Sequence, residues 1–427
     1  MRIAIIGAGI SGLGAAWLLH KAHDISVYEA QPRLGGHSHT LTIDYDGEQI
    51  PVDAGFVVYN NQNYPNLKAL FKQLHVATEP SDMSFAVSTA NGAIEWGSDN
   101  LNTLFAQRRN LFSARFLSTL LHIRRFNQIA PIDLANGVLA GRTLGEYLDH
   151  RNFSDSFRSH YLFPMGGAIW SMPLQGMNNF PAESFVAFCR NHYLMAQKCP
   201  RWRTVSGGSH EYVNKITAPF TRKIRKATAV TKITRRAGQV RVCDATGGED
   251  VFDHVIVAAH ADQTLAMLGD ASAQERHILG AFLYAPNTAY VHRDPALMPR
   301  LKQVWSSWNY LSCDNVQPAV SVSYWMNRLQ NIPHNQPLFI TLNALQAPRP
   351  ELTFAEIQFA HVQYDLPALH AQRALADIQG SGNIWYCGAW TGHGFHEDGL
   401  ASGLAIAERI GKCVRPWDIA AITSQAA

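Results

Sequence analysis

The chain has 427 residues, of which 47% are hydrophobic and 16% charged, with a formal net charge of +3 at pH 7. This length provides buried core for two or three domains, and the small net charge excludes a global field that would attract nucleic acid. The six scattered cysteines include no C-x-x-C pair, and no metal-ligand spacing occurs among the 19 histidines. We therefore expect a cytoplasmic protein with reduced thiols and no metal site.

The first thirty residues alternate strand and helix patterns. Ile3–Ile6 is an apolar run typical of a buried parallel strand. Ala15–Leu19 predicts a helix, and Ile25–Tyr28 predicts a second strand that ends at an acid, Glu29. This order predicts a βαβ unit that binds a dinucleotide.

Glycines with G-x-G-x-x-G spacing join the first strand to the helix. Gly7 permits the tight turn, Gly9 lets the backbone approach a pyrophosphate, and Gly12 lets helix and strand pack closely. The helix N-terminus favours anionic phosphates. Glu29 is placed to accept the hydroxyls of an adenosine ribose, and an acid there disfavours the 2′-phosphate of NADP.

The residues after the acid narrow the choice of cofactor. Gln31–Thr40 carries an arginine and a glycine doublet, and Val52–Phe56 follows. These segments resemble the superfamily of flavin amine oxidases, protoporphyrinogen oxidases and phytoene desaturases. The resemblance implies FAD, bound along this segment, although His37 stands where amine oxidases usually carry arginine.

Three later segments resemble the same superfamily. Trp202–Val213 resembles its W-x-V-x-G-G motif, and Asp253–His260 resembles D-x-V-I-x-A-x-P, with His260 in the place of proline. Near the C-terminus, Ile384–Gly403 predicts a strand, a glycine-rich loop and a helix. It resembles the superfamily's C-terminal FAD motif, which implies that this helix caps the flavin. Ala389 stands where the superfamily often has an acid.

The resemblance implies an α/β fold with a Rossmann-like, two-dinucleotide-binding-domain FAD unit and an inserted substrate domain of mixed sheet and helices. Residues 1–75, 200–262 and 375–415 are predicted to form the FAD domain, 76–199 and 263–374 the substrate domain, and 416–427 a tail. The residues that would contact FAD are Gly7, Gly9, Ser11, Gly12, Glu29, Ala30, Arg33, Gly35, Gly36, His37, Gly55, Phe56, Val230, Gly388, Asp398, Gly399 and Leu400.

Two stretches of the predicted substrate domain have unusual composition. Residues 100–132 contain five arginines and no acid, with apolar residues at helical spacing. This pattern is typical of a helix on anionic lipid, and it also fits an ordinary helix with solvated arginines. Residues 161–182 carry no charge but three methionines and three prolines, which fits either the wall of an apolar substrate cavity or buried packing.

Longer strings point to one branch of the superfamily. Asp53–Asn60, Trp305–Tyr310 and Gly394–Gly399 resemble a bacterial family of predicted NAD/FAD-binding, amine oxidase-like proteins. Its members are often encoded beside cyclopropane-fatty-acyl-phospholipid synthase-like methyltransferases. The association implies a lipid acyl substrate, such a methyltransferase as partner, and peripheral contact with the inner face of the membrane through residues 101–126.

These observations lead to a first hypothesis of FAD-dependent dehydrogenation of an acyl chain of a methylated membrane phospholipid. The candidate acid–base residues are His396, His393 and Tyr59. The alternatives are a flavin amine oxidase, an acyl double-bond isomerase or reductase, and a non-catalytic flavoprotein that presents lipid to a methyltransferase.

Overall fold

The computed structural model describes residues 1–172, 174–195, 200–313 and 321–419. Pro173 of the charge-free stretch, and residues 420–427 of the predicted tail, lie outside the described residues. The strands, in chain order, are β1 (Arg2–Ile6), β2 (Asp24–Tyr28), β3 (Thr40–Tyr45), β4 (Glu48–Asp53), β5 (Val58–Asn60), β6 (Thr78–Pro80), β7 (Phe85–Thr89), β8 (Ile94–Gly97), β9 (Trp202–Val205), β10 (Ile224–Arg225), β11 (Val230–Arg236), β12 (Gln239–Asp244), β13 (Glu249–Phe252), β14 (His254–Val257), β15 (Leu283–His292), β16 (Trp308–Leu311), β17 (Ser321–Trp325), β18 (Phe339–Leu342), β19 (Thr353–Gln363) and β20 (Ile384–Tyr386). The α-helices are α1 (Ile10–Leu19), α2 (Pro65–Gln73), α3 (Leu101–Leu104), α4 (Ala114–Ala135), α5 (Leu144–His150), α6 (Asp155–Phe157), α7 (Phe163–Trp170), α8 (Leu174–Asn179), α9 (Ala182–Asn191), α10 (His210–Thr217), α11 (Ala261–Met267), α12 (Ala273–Leu279), α13 (Met326–Leu329), α14 (Leu366–Ala374) and α15 (His396–Gly411).

A five-stranded sheet in the order β10-β2-β1-β14-β20 carries the N-terminal motif. All its pairings are parallel, and Ile5 lies opposite Val27 on one side and Ile256 on the other. These three side chains are fully buried, as expected for a sheet with both faces covered. The two strands predicted in the first thirty residues are confirmed, while the predicted helix begins earlier, at Ile10.

The second large sheet is a seven-stranded mixed sheet in the order β19-β15-β18-β17-β16-β7-β8. Its longest pairing joins β15 and β19, which run antiparallel over most of their lengths. The strands of this sheet lie within residues 76–199 and 263–374, and those of the parallel sheet lie within 1–75, 200–262 and 375–415. The exact domain boundaries stay a prediction.

Helices α4 to α9 pack around an apolar cluster of their own. Trp170, Met172 and Met177 of the charge-free stretch are buried in it, together with Phe126 and Phe185. For these side chains the alternative interpretation of residues 161–182, buried packing, is confirmed, because they lie inside a helical cluster. The flexible methionine side chains can fill irregular gaps in such a cluster.

The basic stretch forms short helical turns followed by α4. Ser113 caps α4 by accepting a hydrogen bond from Phe116 N–H. The inner face of α4 contributes Phe116 and Leu120 to an apolar cluster with Trp96 and Tyr310 of the mixed sheet. Among the residues that the structure describes, no helix has both the length and the apolar run needed to cross a bilayer.

Candidate functional site

The glycine motif lies at the carboxyl end of β1, between the ends of its two neighbours β2 and β14. Gly7 turns the chain away from β1 with φ of +103°, and α1 begins at Ile10. A Cβ on Gly12 would lie 1.9 Å from the Gly7 carbonyl oxygen, so this helix and turn can approach only with glycine there. By contrast, a Cβ on Gly9 would meet no atom within 4 Å. The backbone at Gly9 therefore faces open space at the carboxyl edge of the sheet, where α/β proteins bind ligands.

The glycine doublet packs directly against this turn. Gly35 N–H donates to the Ala8 carbonyl at 2.8 Å, and Gly35 forms an isolated bridge with Gly9. Gly36 has φ of +58°, and a Cβ on it would lie 3.1 Å from Gly9 Cα. Arg33 donates through Nη1 to the Gly36 carbonyl at 2.7 Å. The two glycine motifs thus form one continuous backbone surface.

Glu29 lies at the end of β2, next to the same turn. Its Oε2 accepts a hydrogen bond from Ala8 N–H and its Oε1 accepts one from Gln31 N–H, both at 2.8 Å. Each oxygen retains a lone pair for a ligand hydroxyl. The segment that leads to Val230 runs alongside, because Thr228 N–H donates to the Glu29 carbonyl. Glu29 and Val230 are therefore placed at the same end of the site.

The C-terminal helix lies beside the N-terminal one. A Cβ on Gly399 would lie 2.9 Å from Ser11 Oγ, and one on Gly403 would lie 2.0 Å from the Ser11 carbonyl. Further along, Leu19 approaches Gly411, so α1 and α15 run parallel with their N-termini adjacent. Both positive dipole ends meet at the open space over Gly9, which suits a diphosphate.

These features test the fit of FAD to the chain. The open backbone at Gly9 and the paired helix N-termini suit the pyrophosphate, and Glu29 suits the adenosine ribose. Gly388, at the end of β20, has its N–H bonded to Ser402 Oγ at 3.0 Å, which fixes the loop before α15. The arrangement fits FAD and brings together residues predicted from both ends of the chain.

His37 belongs to a cluster of half-buried imidazoles that sequence reasoning did not find. Its ring lies 5.5 Å from that of His361 and 6.4 Å from that of His260, and it stacks on Phe359 at 5.2 Å. Burial and these neighbouring imidazoles hold the pKa of His37 well below its usual range. Burial also lowers the pKa of His361, to about 4. The cluster is uncharged at neutral pH where an arginine would bring a positive charge.

His396, a predicted acid–base residue, is the first residue of α15. Its ring stacks on Phe56 with centroids 3.9 Å apart, and its Nε2 is hydrogen-bonded to the Tyr212 hydroxyl at 2.7 Å and to Ser38 Oγ at 3.2 Å. Burial lowers the pKa of His396 to about 3. An imidazole of such low basicity is a weak proton acceptor at neutral pH, so these contacts favour a positioning role.

His393 lines a cavity of about 570 Å³ in front of α15. Phe395 and His192 give this cavity aromatic walls, and the exposed residue Arg190 lies at it too. Phe188 extends the aromatic wall inward by stacking on His192 at 3.8 Å and on Phe395 at 4.8 Å. The volume is in the usual range for a small-molecule site.

Two carboxyl groups, Glu397 and Asp398, also line this cavity. Glu397 accepts hydrogen bonds from the N–H groups of Asn66 and Leu67 at 2.9 and 3.0 Å, and Asp398 accepts one from Phe395 N–H at 2.9 Å. Burial raises the pKa of Glu397 to about 7, although these donors oppose the shift. Burial also raises the pKa of Asp398. Both groups are already occupied in holding the backbone of α2 and of the loop before α15.

Tyr59, the third predicted acid–base residue, lies elsewhere. It is 3% exposed in the core beneath the parallel sheet, with its ring edge-on to Phe71 at 5.3 Å and to Tyr64 at 6.2 Å. The structure therefore does not group Tyr59 with the residues that line the cavity. Gly55 and Phe56, in contrast, lie on the backbone of His37, whose carbonyl accepts a hydrogen bond from Phe56 N–H at 2.8 Å.

Comparisons with known proteins agree with this geometry. The model of the family described as flavin containing amine oxidoreductase matches residues 10–275. A probable zeta-carotene desaturase of Synechococcus elongatus is 23% identical over 340 residues, which cover 75% of this chain and 65% of the relative. The match thus spans just under two thirds of that relative's length.

Solved structures share the whole architecture. Putrescine oxidase bound to putrescine superposes with a TM-score of 0.68 and 15% identity, over 96% of this chain and 99% of the other. A fatty acid isomerase from P. acnes that produces CLA superposes with a TM-score of 0.66 and 15% identity, over 96% and 98%. At this level of identity the likeness shows the fold, which is that of FAD-dependent enzymes with a separate substrate domain.

Proposed function

Because the chain belongs to the flavin-containing amine oxidoreductase family and has FAD as its cofactor, we propose that it is an oxidoreductase that dehydrogenates an acyl chain of a membrane phospholipid. When bound, FAD supplies the two-electron acceptor for hydride removal. The protein supplies the binding site, the orientation of the chain and the exclusion of water.

The cavity in front of α15 carries this proposal. Its aromatic wall, formed by Phe395 and His192 and backed by Phe188, suits a hydrocarbon chain, and Arg190 suits an anionic headgroup. An amphipathic ligand with a negative head matches this division. The names of two similar proteins, a zeta-carotene desaturase and a fatty acid isomerase, refer to substrates with long hydrocarbon chains. We also propose that the acyl chain carries a methyl branch and that the protein has a methyltransferase partner.

The uncharged histidine beside the site fits the removal of a hydride from a neutral chain. His396 is held by Tyr212 and Ser38 and stays unprotonated at neutral pH, since burial lowers its pKa to about 3. It therefore places no competing positive charge near a developing carbocation-like centre. His393, which lines the cavity, is the residue available to accept a proton.

A flavin amine oxidase is the second candidate, because Glu397 and Asp398 line the same cavity and could pair with an ammonium group. Putrescine oxidase has the same fold. Against this candidate, both carboxyls already accept backbone hydrogen bonds, and burial raises the pKa of each.

Anaerobic reduction of the purified flavoprotein separates the two candidates. Vesicles of methyl-branched or monounsaturated phospholipid should bleach the visible flavin absorbance and yield a more unsaturated acyl chain, detected by mass spectrometry. Simple mono- and diamines should leave the absorbance unchanged. Bleaching by amines and not by lipid would overturn the proposal, and a shifted double bond without net bleaching would assign an isomerase.

A further inference from the structure

The outward surface of residues 101–132 combines exposed apolar side chains with arginines. Phe112 is 89% exposed, Leu101 74% and Leu121 67%, whereas large apolar side chains of soluble proteins are usually at least partly covered. Leu111 and Leu117 are exposed as well. We name this surface, with Arg108, Arg109, Arg124 and Arg125, the basic face.

Helical geometry places several of these side chains on one side of α4. Leu117, Leu121 and Arg124 are spaced by four and three residues and are all exposed, so they form a single stripe. Phe126 and Ala130 lie on the opposite, buried side. The exposed leucines are therefore not the margin of the core but a second apolar surface that points to solvent.

In the part of the chain that the structure describes, the arginines of the basic face have no acidic partner, although Arg125 stacks over the Phe153 ring at 5.0 Å. No acid occurs between Asp99 and Asp133, and those two acids pair with Arg328 and Arg151 respectively. Within the described ranges, no carboxylate forms an ion pair with the five arginines of residues 100–132. Arg108 and Arg109 instead donate to neutral oxygens of Phe105 and Ala93.

A second basic cluster, at residues 222–226, provides an internal comparison. There Lys223 pairs with Asp24 at 2.5 Å and Arg225 pairs with Asp250 at 2.7 Å. That cluster is an ordinary solvated surface with local counter-ions. The basic face differs from it in having both free positive charge and exposed apolar side chains.

We infer that the basic face docks the protein on a bilayer that contains anionic lipid. Arginines attract the negative surface, and Phe112 with the leucines inserts between headgroups, as in other interfacial helices. A nucleic acid would match the charge but not the leucines, and a second copy of this chain would bring another positive surface against this one. The inference is independent of the proposed substrate, since docking requires no turnover.

Co-sedimentation of the holoprotein with vesicles tests the inference. Vesicles of phosphatidylcholine with phosphatidylglycerol should bind the protein, and vesicles of phosphatidylcholine alone should bind it far less. Binding should fall steeply between about 0.05 and 0.5 M NaCl, because salt screens exposed charges. Equal binding to the two vesicles, or none to either, would overturn the inference.

Two variants separate the apolar and the electrostatic contributions. Phe112→Ser with Leu121→Ser should weaken partitioning by about ten-fold or more and keep its salt dependence. Arg108→Gln with Arg124→Gln should weaken it by about ten-fold or more and reduce the salt dependence.

Matched controls use exposed residues from other surfaces. Leu283 is 60% exposed, and Leu283→Ser should leave vesicle binding unchanged, as should Arg222→Gln. The flavin spectrum and thermal midpoint check that every variant is folded. If the controls weaken binding as much as the variants, or if light scattering shows a dimer that Phe112→Ser dissociates, the basic face is not a lipid surface. Lipid binding without flavin reduction would refute only the proposed chemistry.

Discussion

Two neighbouring glycines of the same motif should respond in opposite ways to an added methyl group. At Gly12 the Cβ would lie 1.9 Å from the Gly7 oxygen and 3.2 Å from Ala258 Cβ, well inside normal contact distance. To relieve this overlap α1 must move away from the sheet, and overpacking of this kind costs about 3 kcal/mol or more. Gly12→Ala should therefore destabilise the protein with or without cofactor.

Gly9→Ala should leave the fold intact and weaken the binding of the cofactor. Its Cβ meets no atom within 4 Å, and φ of −78° at this N-cap is allowed for alanine. Loss of the glycine N-cap costs about 0.5–1 kcal/mol. The new methyl enters the open space that the pyrophosphate requires, so we expect FAD affinity to fall by about ten-fold or more.

The assay compares urea unfolding of the two apoproteins by circular dichroism with FAD binding by fluorescence quenching. We expect a large loss of stability in Gly12→Ala only, and a selective loss of FAD affinity in Gly9→Ala. Similar unfolding midpoints for the two variants, or unchanged FAD affinity in Gly9→Ala, would refute the assignment of the open space to the pyrophosphate.

Three further outcomes are expected. Glu29→Ala should lower FAD affinity by about ten-fold or more, and Glu29→Gln, which keeps one acceptor oxygen, should lower it less. If fluorescence titration gives the variants the same FAD affinity as the unaltered protein, the ribose contact is contradicted. Burial raises the pKa of Glu397 from 4.5 to about 7, so between these pH values the folded state binds a proton that the unfolded state has released. The free energy of unfolding should therefore fall by about 1–3 kcal/mol as pH rises through this range. Glu397→Gln should flatten this pH dependence, and an unchanged slope would exclude Glu397 as its source. His396→Asn should leave any inflection of the pH–rate profile between about pH 5 and 8 in place, because the pKa of His396 lies near 3; its disappearance would restore His396 as the acid–base residue.

Local patterns in the sequence predicted the βαβ unit, and the resemblance to a flavoprotein superfamily predicted FAD as cofactor. The individual residues named as FAD contacts stay a prediction. The close packing assigned to Gly12 depends on a nearby segment, and in the structure a Cβ on Gly12 would lie 1.9 Å from the Gly7 carbonyl oxygen. The two strands on either side of Gly12, β1 and β2, follow from short apolar runs typical of a buried parallel sheet. Such signals are local, so the sequence contains them directly.

The substrate half depends on contacts between distant segments. His37, His260 and His361 form one cluster although they lie on three separated parts of the chain, and no pattern in the sequence couples them. The charge-free stretch was ambiguous because a buried helix and a cavity wall need the same apolar residues. Tyr59 follows a motif glycine but points into the core, since a side chain's direction is set by the pairing of β5 with β9.

The position of His37 bears on how the chain can neutralise a bound pyrophosphate. An arginine there would supply a full charge, whereas burial among His260, His361 and Phe359 keeps His37 neutral. Arg33, whose Nη1 donates to the Gly36 carbonyl, brings one positive charge to this region. A second positive potential comes from the adjacent N-termini of α1 and α15, which are held together by Gly399 and Gly403 against Ser11. Because this potential arises from backbone dipoles, it depends on the parallel packing of the first and last helices, and cofactor binding is thereby coupled to the association of the two ends of the chain.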